Sequence, residues 1–276
     1  MKYSTVSQMF NRVTLDHKDR ELYFSKIKGR WEGISGSKIR SIVKDLAFAF
    51  QSIEIEKGSN VALLSTNSPR WAMGDYGIVC SGAATVSVYP TLIASQVQYI
   101  LNDSDSKVVM AENQEQLEKI NQIWQDCPKL KYVIVLDESN ESEDARIINF
   151  TDFLAMGSQF EKTSERTFDD LTNIAEPGDL LTLIYTSGTT GNPKGVMLTH
   201  GNMMSNVEGI SQLISFDHTE IFLSFLPLSH SFERMGGHFT AFSLGSQVYY
   251  AENIDKVPDN LQEVKPSVVL SVPRLY

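Results

Sequence analysis

The sequence has little cysteine and fewer basic than acidic residues. Its two cysteines, Cys80 and Cys127, lie in apolar or helical patterns with neither CxxC spacing nor an adjacent histidine. This argues against a disulfide framework and against a thiolate metal site, and indicates a reducing compartment. The formal net charge of −10 repels nucleic acid and anionic lipid headgroups. We therefore expect no nucleic-acid partner and a cytoplasmic location.

Long hydrophobic runs are also missing. The longest uncharged span, residues 76–102, is interrupted by Pro90, Gln96 and Gln98, so it is better explained by helices and a strand in a core than by a membrane helix. Residues 1–19 alternate polar and apolar side chains and contain no secretory hydrophobic region. We predict no transmembrane segment, and peripheral contact with a membrane stays open.

The order of predicted elements indicates the fold class. From residue 61 to residue 136, strand patterns alternate with helix patterns, which is typical of a parallel sheet covered by helices. Ahead of them, residues 22–27 and 30–34 predict a small hairpin that turns at Lys28-Gly29, and Ser37 is predicted to cap a helix that Gly58 ends. The prediction is an α/β fold of stacked, mostly parallel sheets covered by helices.

Two features divide the chain. Residues 150–168 have a weak helical pattern, and Glu176-Pro177-Gly178-Asp179 then interrupts the regular elements. We place a boundary near residue 170, which predicts a first α/β lobe with the hairpin over 1–170 and a second α/β lobe over 171–276.

Residues 180–199 predict a strand, a polar loop and a second strand. The loop holds three glycines, four hydroxyl side chains and one lysine, a composition suited to binding phosphate oxygens through backbone N–H groups, hydroxyls and an ammonium. The spacing is not that of a Walker A loop, because Pro193 precedes Lys194 and Gly195 follows it. The alternative is a surface loop between two strands.

A second motif, residues 226–234, follows the predicted strand at 221–225. It places a proline and His230 at the end of a parallel strand, where such sheets bind ligands. A lone histidine there is usually structural, and Glu233-Arg234 could equally be a structural charge pair or part of a site. Residues 66–69 are either a site turn or a plain helix cap with Pro69 in the first turn.

Residues 185–195 resemble, without a gap, the phosphate-loop signature of the adenylate-forming enzymes, the superfamily of acyl-CoA synthetases, luciferases and peptide-synthetase adenylation domains. Residues 232–234, Tyr89-Pro90-Thr91 and residues 271–276 make the chain most similar to the long-chain fatty acid CoA ligases. The resemblance implies the N-terminal part of the large domain of such an enzyme. It also implies ATP, a fatty acid and coenzyme A as substrates, Mg²⁺ as the metal, and acyl-adenylate as the intermediate.

The same resemblance assigns roles to residues. Lys194 would place its charge on the β/γ-phosphates, Thr186 would contact Mg²⁺, and His230 would lie beside the substrate carboxylate, with residues 235–239 lining an acyl pocket. The predicted nucleotide contacts are Tyr185, Thr186, Ser187, Gly188, Thr189, Thr190, Gly191, Lys194 and Gly195.

The family's pattern continues past the residue that matches Tyr276, with the adenine and ribose motifs, an acidic magnesium ligand and a C-terminal domain that carries the adenylation lysine. We therefore expect this chain to be an N-terminal portion of a ligase, inactive by itself and open to self-association through uncovered apolar surface. The alternatives are a non-catalytic module that binds nucleotide or phosphate, and a phosphotransferase with a similar loop.

Overall fold

The structure, a computed structural model, describes residues 3–138, 140, 142–186 and 192–273. Its strands are β1 Glu21–Ile27, β2 Arg30–Ser35, β3 Asn60–Leu64, β4 Ala84–Val88, β5 Val108–Ala111, β6 Tyr132–Val135, β7 Ile147–Asn149, β8 Leu180–Thr186, β9 Lys194–Thr199, β10 Ile221–Ser224, β11 Gln247–Tyr250 and β12 Val268–Val269. Its helices are α1 Val6–Asp16, α2 Gly36–Ser52, α3 Pro69–Cys80, α4 Ala94–Asp103, α5 Gln114–Asn121, α6 Phe150–Glu161, α7 Phe168–Thr172, α8 His200–Leu213, α9 Ser231–Glu233, α10 Ala241–Ser243 and α11 Val257–Val264.

The strands form two sheets. One has seven strands in the order β7-β6-β5-β3-β4-β8-β9, and the other has five in the order β12-β10-β11-β1-β2. In each sheet the pairs are parallel except for one edge pair, β8 with β9 and β1 with β2. The predicted α/β fold of mostly parallel sheets covered by helices is thereby confirmed.

The predicted hairpin is present, and it belongs to a larger sheet. β1 and β2 turn at Lys28 and Gly29, whose φ angles of 48° and 80° are those of the tight turn that suits the twist of two paired strands. β1 also pairs in parallel with β11 through Tyr23 opposite Val248. The hairpin near the N-terminus is therefore an edge of the five-stranded sheet.

Neither sheet follows the predicted division at residue 170. β8 and β9, which flank the phosphate loop, extend the sheet of β3 to β7, while β1 and β2 join the sheet of β10 to β12. The two predicted lobes remain a prediction about domain organisation, but they are not two sheets.

Alternation along the central strands produces two cores. Val61 and Leu63 of β3 face the layer of helices that also packs on the five-stranded sheet, whereas Ala62 and Leu64 face α4 and α5 on the other side. Both faces of the central strands β3, β4 and β5 are covered, which is why these strands read as continuous apolar runs. No helix in the described part of the chain is long and apolar enough to span a membrane.

The limits of α2 correct two predictions. Ser35, rather than Ser37, accepts a hydrogen bond from the Lys38 amide and caps the helix, because β2 runs to Ser35 and α2 begins directly after it at Gly36. Gly58 does not end the helix. It lies in a later turn with a φ of 82°, and the helix itself ends at Ser52.

Candidate functional site

A cavity of about 510 Å³ opens where the ends of strands from both sheets meet. Tyr89 directly follows β4 of the seven-stranded sheet, while Leu226 and Ser271 follow β10 and β12 of the five-stranded sheet. The carboxyl ends of parallel strands are the usual position of ligand sites in such folds. The lining residues are Tyr89, Leu226, Pro227, His230, Phe232, Glu233, Ser271 and Val272.

The turn after β3 holds the segment after β10 in place. The side-chain amide of Asn67 donates to the Leu226 carbonyl at 2.6 Å, and its oxygen accepts from the Leu228 amide at 2.8 Å. Ser68, the next residue, caps α3 by accepting from the Trp71 amide at 3.1 Å. Of the two interpretations of residues 66–69, the helix cap is therefore present. The same turn also positions one wall of the cavity.

His230 lies where the sequence places it, at the cavity. Its backbone N–H donates to the Pro227 carbonyl at 2.9 Å, and its Nδ1 accepts from the Phe232 amide at 3.3 Å. His230 is exposed to solvent. The fixed Nδ1 leaves Nε2 as the ring atom available to a ligand, so its predicted role beside a carboxylate stays a prediction that this geometry permits.

Glu233 and Arg234 do not pair with each other. Arg234 is fully buried, and its guanidinium donates to both oxygens of Asp75 at 2.9 and 2.5 Å and to the Thr182 hydroxyl at 2.5 Å. Burial alone would raise the pKa of Asp75, but Arg234 and His238 outweigh it and hold that pKa at about 2. This bidentate pair joins α3 to the helix after the second motif, so the structural reading applies to Arg234.

Glu233 turns the other way, toward the cavity. Its side chain is 1% exposed, and neither carboxylate oxygen has a hydrogen-bond partner among the described residues. Burial raises its pKa to about 8, with the Ser224 hydroxyl opposing part of the rise. A carboxyl group in this state carries a proton at neutral pH.

The helix that follows contains a π-helical segment, Arg234–Thr240, between α9 and α10. Such segments are uncommon and often occur at functional sites. Here the insertion buries Arg234 and His238 beside Asp75 while Glu233 reaches the cavity. Of the predicted acyl-pocket residues 235–239, Met235 lines a smaller cavity of about 260 Å³, whereas His238 and Phe239 are buried in the core.

The phosphate loop begins at the same edge of the sheet. Thr186 is the last residue of β8 and lies in register opposite Lys194 of β9, and both side chains are exposed. β8 is the parallel neighbour of β4, so the loop leaves the sheet beside the strand end that delivers Tyr89 to the cavity. The predicted contacts Ser187, Gly188, Thr189, Thr190 and Gly191 lie outside the described residues.

Tyr185 has a structural role that the loop pattern does not indicate. Its ring is 7% exposed, and its hydroxyl donates to Asp103 at the end of α4 at 2.7 Å. Burial, with Asp103 close by, raises its pKa. A side chain at Gly195 would meet the Tyr185 ring at 3.1 Å, which explains a glycine there. Any contact of Tyr185 with a nucleotide is therefore left to its backbone and stays a prediction.

The described residues around Thr186 do not by themselves make a magnesium site. Magnesium prefers several oxygen ligands, including carboxylates. In the described part of the chain, no group of three or more His, Cys, Asp or Glu side chains could hold a metal ion. Thr186 offers one exposed hydroxyl, so further magnesium ligands would have to come from the nucleotide, from water or from other residues of the complete protein.

Comparison with known proteins identifies the class. The family described as AMP-binding enzyme matches residues 10–276. The long-chain-fatty-acid–CoA ligase ACSBG1 of Rattus norvegicus is 32% identical over 279 residues, which cover 99% of this chain and 38% of that protein. Fatty acyl-CoA synthetase A of Dictyostelium discoideum is 29% identical over 266 residues, covering 93% of this chain and 38% of that protein.

Solved structures agree on the fold. The anthranilate CoA ligase AuaEII in complex with anthranoyl-AMP matches with a TM-score of 0.83 at 21% identity, covering 99% of this chain and 51% of that one. The long-chain-fatty-acid-CoA ligase FadD1 of Archaeoglobus fulgidus gives 0.82 at 21% identity, with coverages of 99% and 52%. The chain belongs to the AMP-binding enzyme family, and it spans 38% of the length of the curated relatives above.

Proposed function

We propose that the complete protein is an AMP-forming long-chain fatty acid CoA ligase. It would activate a fatty acid with ATP as acyl-adenylate, releasing pyrophosphate, and then transfer the acyl group to the thiol of coenzyme A, releasing AMP. The proposal extends to this chain the activity for which its relatives are named.

One arrangement carries the proposal: the phosphate loop and the cavity share one edge of the fold. β8 and β4 are parallel neighbours, so a nucleotide held by the loop would have its phosphates close to the strand end that carries Tyr89. The cavity is mostly apolar, with Leu226, Pro227 and Phe232 in its lining, and suits an acyl chain. A carboxylate on that chain would then lie between His230 and the phosphates, which is the geometry that adenylation needs.

The residues of this chain would act on charge and position. Lys194 would place an ammonium against the β/γ-phosphates, and the hydroxyls and amides of residues 187–191 would bind further phosphate oxygens. His230 would orient the carboxylate. The hydrogen bonds of Asn67 to Leu226 and Leu228 hold the segment that carries His230 in position. Mg²⁺ would neutralise phosphate charge when bound.

The nucleotide products test the proposal. The complete protein, given ATP, Mg²⁺, palmitate and coenzyme A, is expected to release AMP and pyrophosphate in amounts equal to the palmitoyl-CoA formed. Release of ADP would instead identify a phosphotransferase. Binding of ATP with no turnover of any fatty acid would identify a non-catalytic module.

The remaining expectations belong to the same proposal. Cys80 and Cys127 are free and buried, which is compatible with a reducing compartment. Self-association of the 276-residue chain and its inactivity in isolation stay predictions, which light scattering and the same product assay on that chain would check.

A further inference from the structure

The side chain of Glu233 is an acid inside the wall of the cavity with nothing bound to it. It is 1% exposed, it lines the cavity, and neither of its oxygens makes a hydrogen bond among the described residues. Buried carboxylates are normally paired or hydrogen-bonded, because an unpaired one loses its hydration without gaining a partner. An orphaned carboxyl at a cavity wall indicates a partner that comes from the cavity.

The groups around Glu233 do not supply that partner. On β10, the Ser224 hydroxyl lies close enough to lower the pKa of Glu233 but outside hydrogen-bond geometry. On β11, Tyr250 is buried, and its hydroxyl is also without a hydrogen bond. Arg234, the next residue along the chain, is committed to Asp75.

Two more titratable groups, Tyr89 and His230, line the same cavity from other elements. Neither has a hydrogen bond or ion pair with Glu233 among the described contacts. No cation therefore pairs with Glu233 within the described residues, and the carboxyl group is held neutral by burial.

The backbone keeps this carboxyl in place. Gly237, one turn further along the π-helical segment, is packed so closely against it that any side chain at 237 would overlap the carboxyl group. The head of Glu233 is thus confined between that glycine and the cavity. Confinement of this kind preorganises a hydrogen-bonding group for a ligand.

A protonated carboxyl is a donor as well as an acceptor, and this determines which ligand it suits. An ionised Glu233 would repel a carboxylate in the cavity, whereas a neutral Glu233 would donate to it, and the bound anion would further favour the proton. The lining combines an apolar majority with the polar groups of Tyr89, His230, Glu233 and Ser271, which matches a molecule with an apolar body and one polar head.

We propose that Glu233, in its protonated form, donates a hydrogen bond to the carboxylate of the acid that occupies this cavity and so helps to bind and orient it. This rests on the proposed function, because it takes the occupant to be the fatty acid that is activated. No proton leaves Glu233 in the step, since the carboxylate attacks as an anion while Glu233 keeps its hydrogen.

The test is the pH dependence of acid binding in the complete protein. Pyrophosphate exchange into ATP is measured at saturating ATP and Mg²⁺ with myristate solubilised by cyclodextrin, between pH 6.5 and 9.5. The KM for myristate is expected to stay constant up to about pH 7.5 and to rise about tenfold by pH 9, because a group with a pKa of about 8 is then about one tenth protonated. Exchange at saturating myristate is expected to change less.

Variants separate a binding role from a structural one. Glu233→Gln keeps a donor that does not titrate and is expected to abolish the rise in KM, whereas Glu233→Leu is expected to raise KM at every pH. Should Glu233→Gln fail to fold, Ser224→Ala replaces it. Loss of the hydroxyl that lowers the pKa of Glu233 is expected to move the rise to higher pH.

The outcomes are distinct. Superimposable KM profiles for the wild type and Glu233→Gln, or an unmoved midpoint in Ser224→Ala, would overturn this inference and leave the proposed function intact. Exchange that does not depend on a fatty acid at any pH would refute the proposed function, and this inference with it.

Discussion

Removing Arg234 should expose how much the second motif depends on a buried ion pair. Arg234→Met keeps most of the side-chain volume but leaves Asp75 in the core without its bidentate partner. Thr85 still donates to Asp75 at 2.6 Å, which does not replace a full charge. Breaking such a pair from one side lowers the free energy of unfolding by about 3–5 kcal/mol.

The ionisation of Asp75 determines in which direction the stability loss of Arg234→Met changes with pH. With Arg234 present, the pKa of Asp75 is about 2, below its ordinary value, so this group stabilises the protein above pH 4 and the effect is lost as pH falls toward 2. Without Arg234, only His238 and the Thr85 hydroxyl oppose the effect of burial, and we expect the pKa of Asp75 to rise above its value in the unfolded chain. The defect of Arg234→Met is then expected to shrink as pH falls from 7 toward 4, since the buried acid is protonated.

A double-mutant cycle measures the coupling. Arg234→Met, Asp75→Leu and their combination are compared by urea unfolding followed through tryptophan fluorescence, with Trp71 5.7 Å from the guanidinium as a local probe. The double variant is expected to be more stable than the sum of the single losses by at least about 2 kcal/mol. Additive losses of unfolding free energy would refute the conclusion that this ion pair joins α3 to the second motif. A loss below about 1 kcal/mol in Arg234→Met would refute it as well.

Three further changes have defined outcomes. Lys194→Ala in the complete protein is expected to slow pyrophosphate exchange about ten- to a hundredfold with little change in Tm, since a charge-assisted hydrogen bond contributes about 1.5–3 kcal/mol. Lys129→Ala, in the turn before β6, is the control, and an exchange rate of Lys194→Ala equal to that of the control would remove Lys194 from the site. His200 is buried, and burial lowers its pKa to about 4 from 6.5, so stability should fall by roughly 3 kcal/mol as pH drops from 6.5 to 4. His200→Asn should flatten that part of the unfolding profile, and an unchanged slope would contradict the burial argument. Gly157→Ala should destabilise by about 1–3 kcal/mol because a Cβ there would overlap a backbone carbonyl of α2, whereas Gly209→Ala in open space on α8 should be neutral or stabilising in the same melts.

Local patterns predicted the elements well and their assembly less well. The alternation of strands and helices from residue 61 to 136 is realised nearly as predicted, because periodicity and turn residues act over a few positions. Which strands share a sheet depends on contacts distant in sequence. Nothing near Tyr23 indicates that β1 pairs with β11, more than two hundred residues later.

The same limit applies to the site. The position of His230 at a strand end follows from the local motif, but Asn67 and Glu233 acquire their roles only when β3, β4 and β10 meet. One signal was available in the sequence: Asp75 stands alone in the otherwise uncharged, largely apolar run of residues 71–80, and a buried charge needs a partner. The sequence does not indicate that this partner is Arg234, because the two residues are 159 positions apart.

The most direct test of the central claim follows oxygen from the acid to the nucleotide. The complete protein is given ATP, Mg²⁺, coenzyme A and palmitate labelled with ¹⁸O in both carboxyl positions. The masses of the nucleotide and phosphate products are then measured by mass spectrometry. Attack of the carboxylate on the α-phosphorus, followed by thiol attack on the carbonyl, transfers one labelled oxygen to AMP, and the account predicts that label there. Label in inorganic phosphate with ADP as the nucleotide product, or unlabelled AMP, would contradict it.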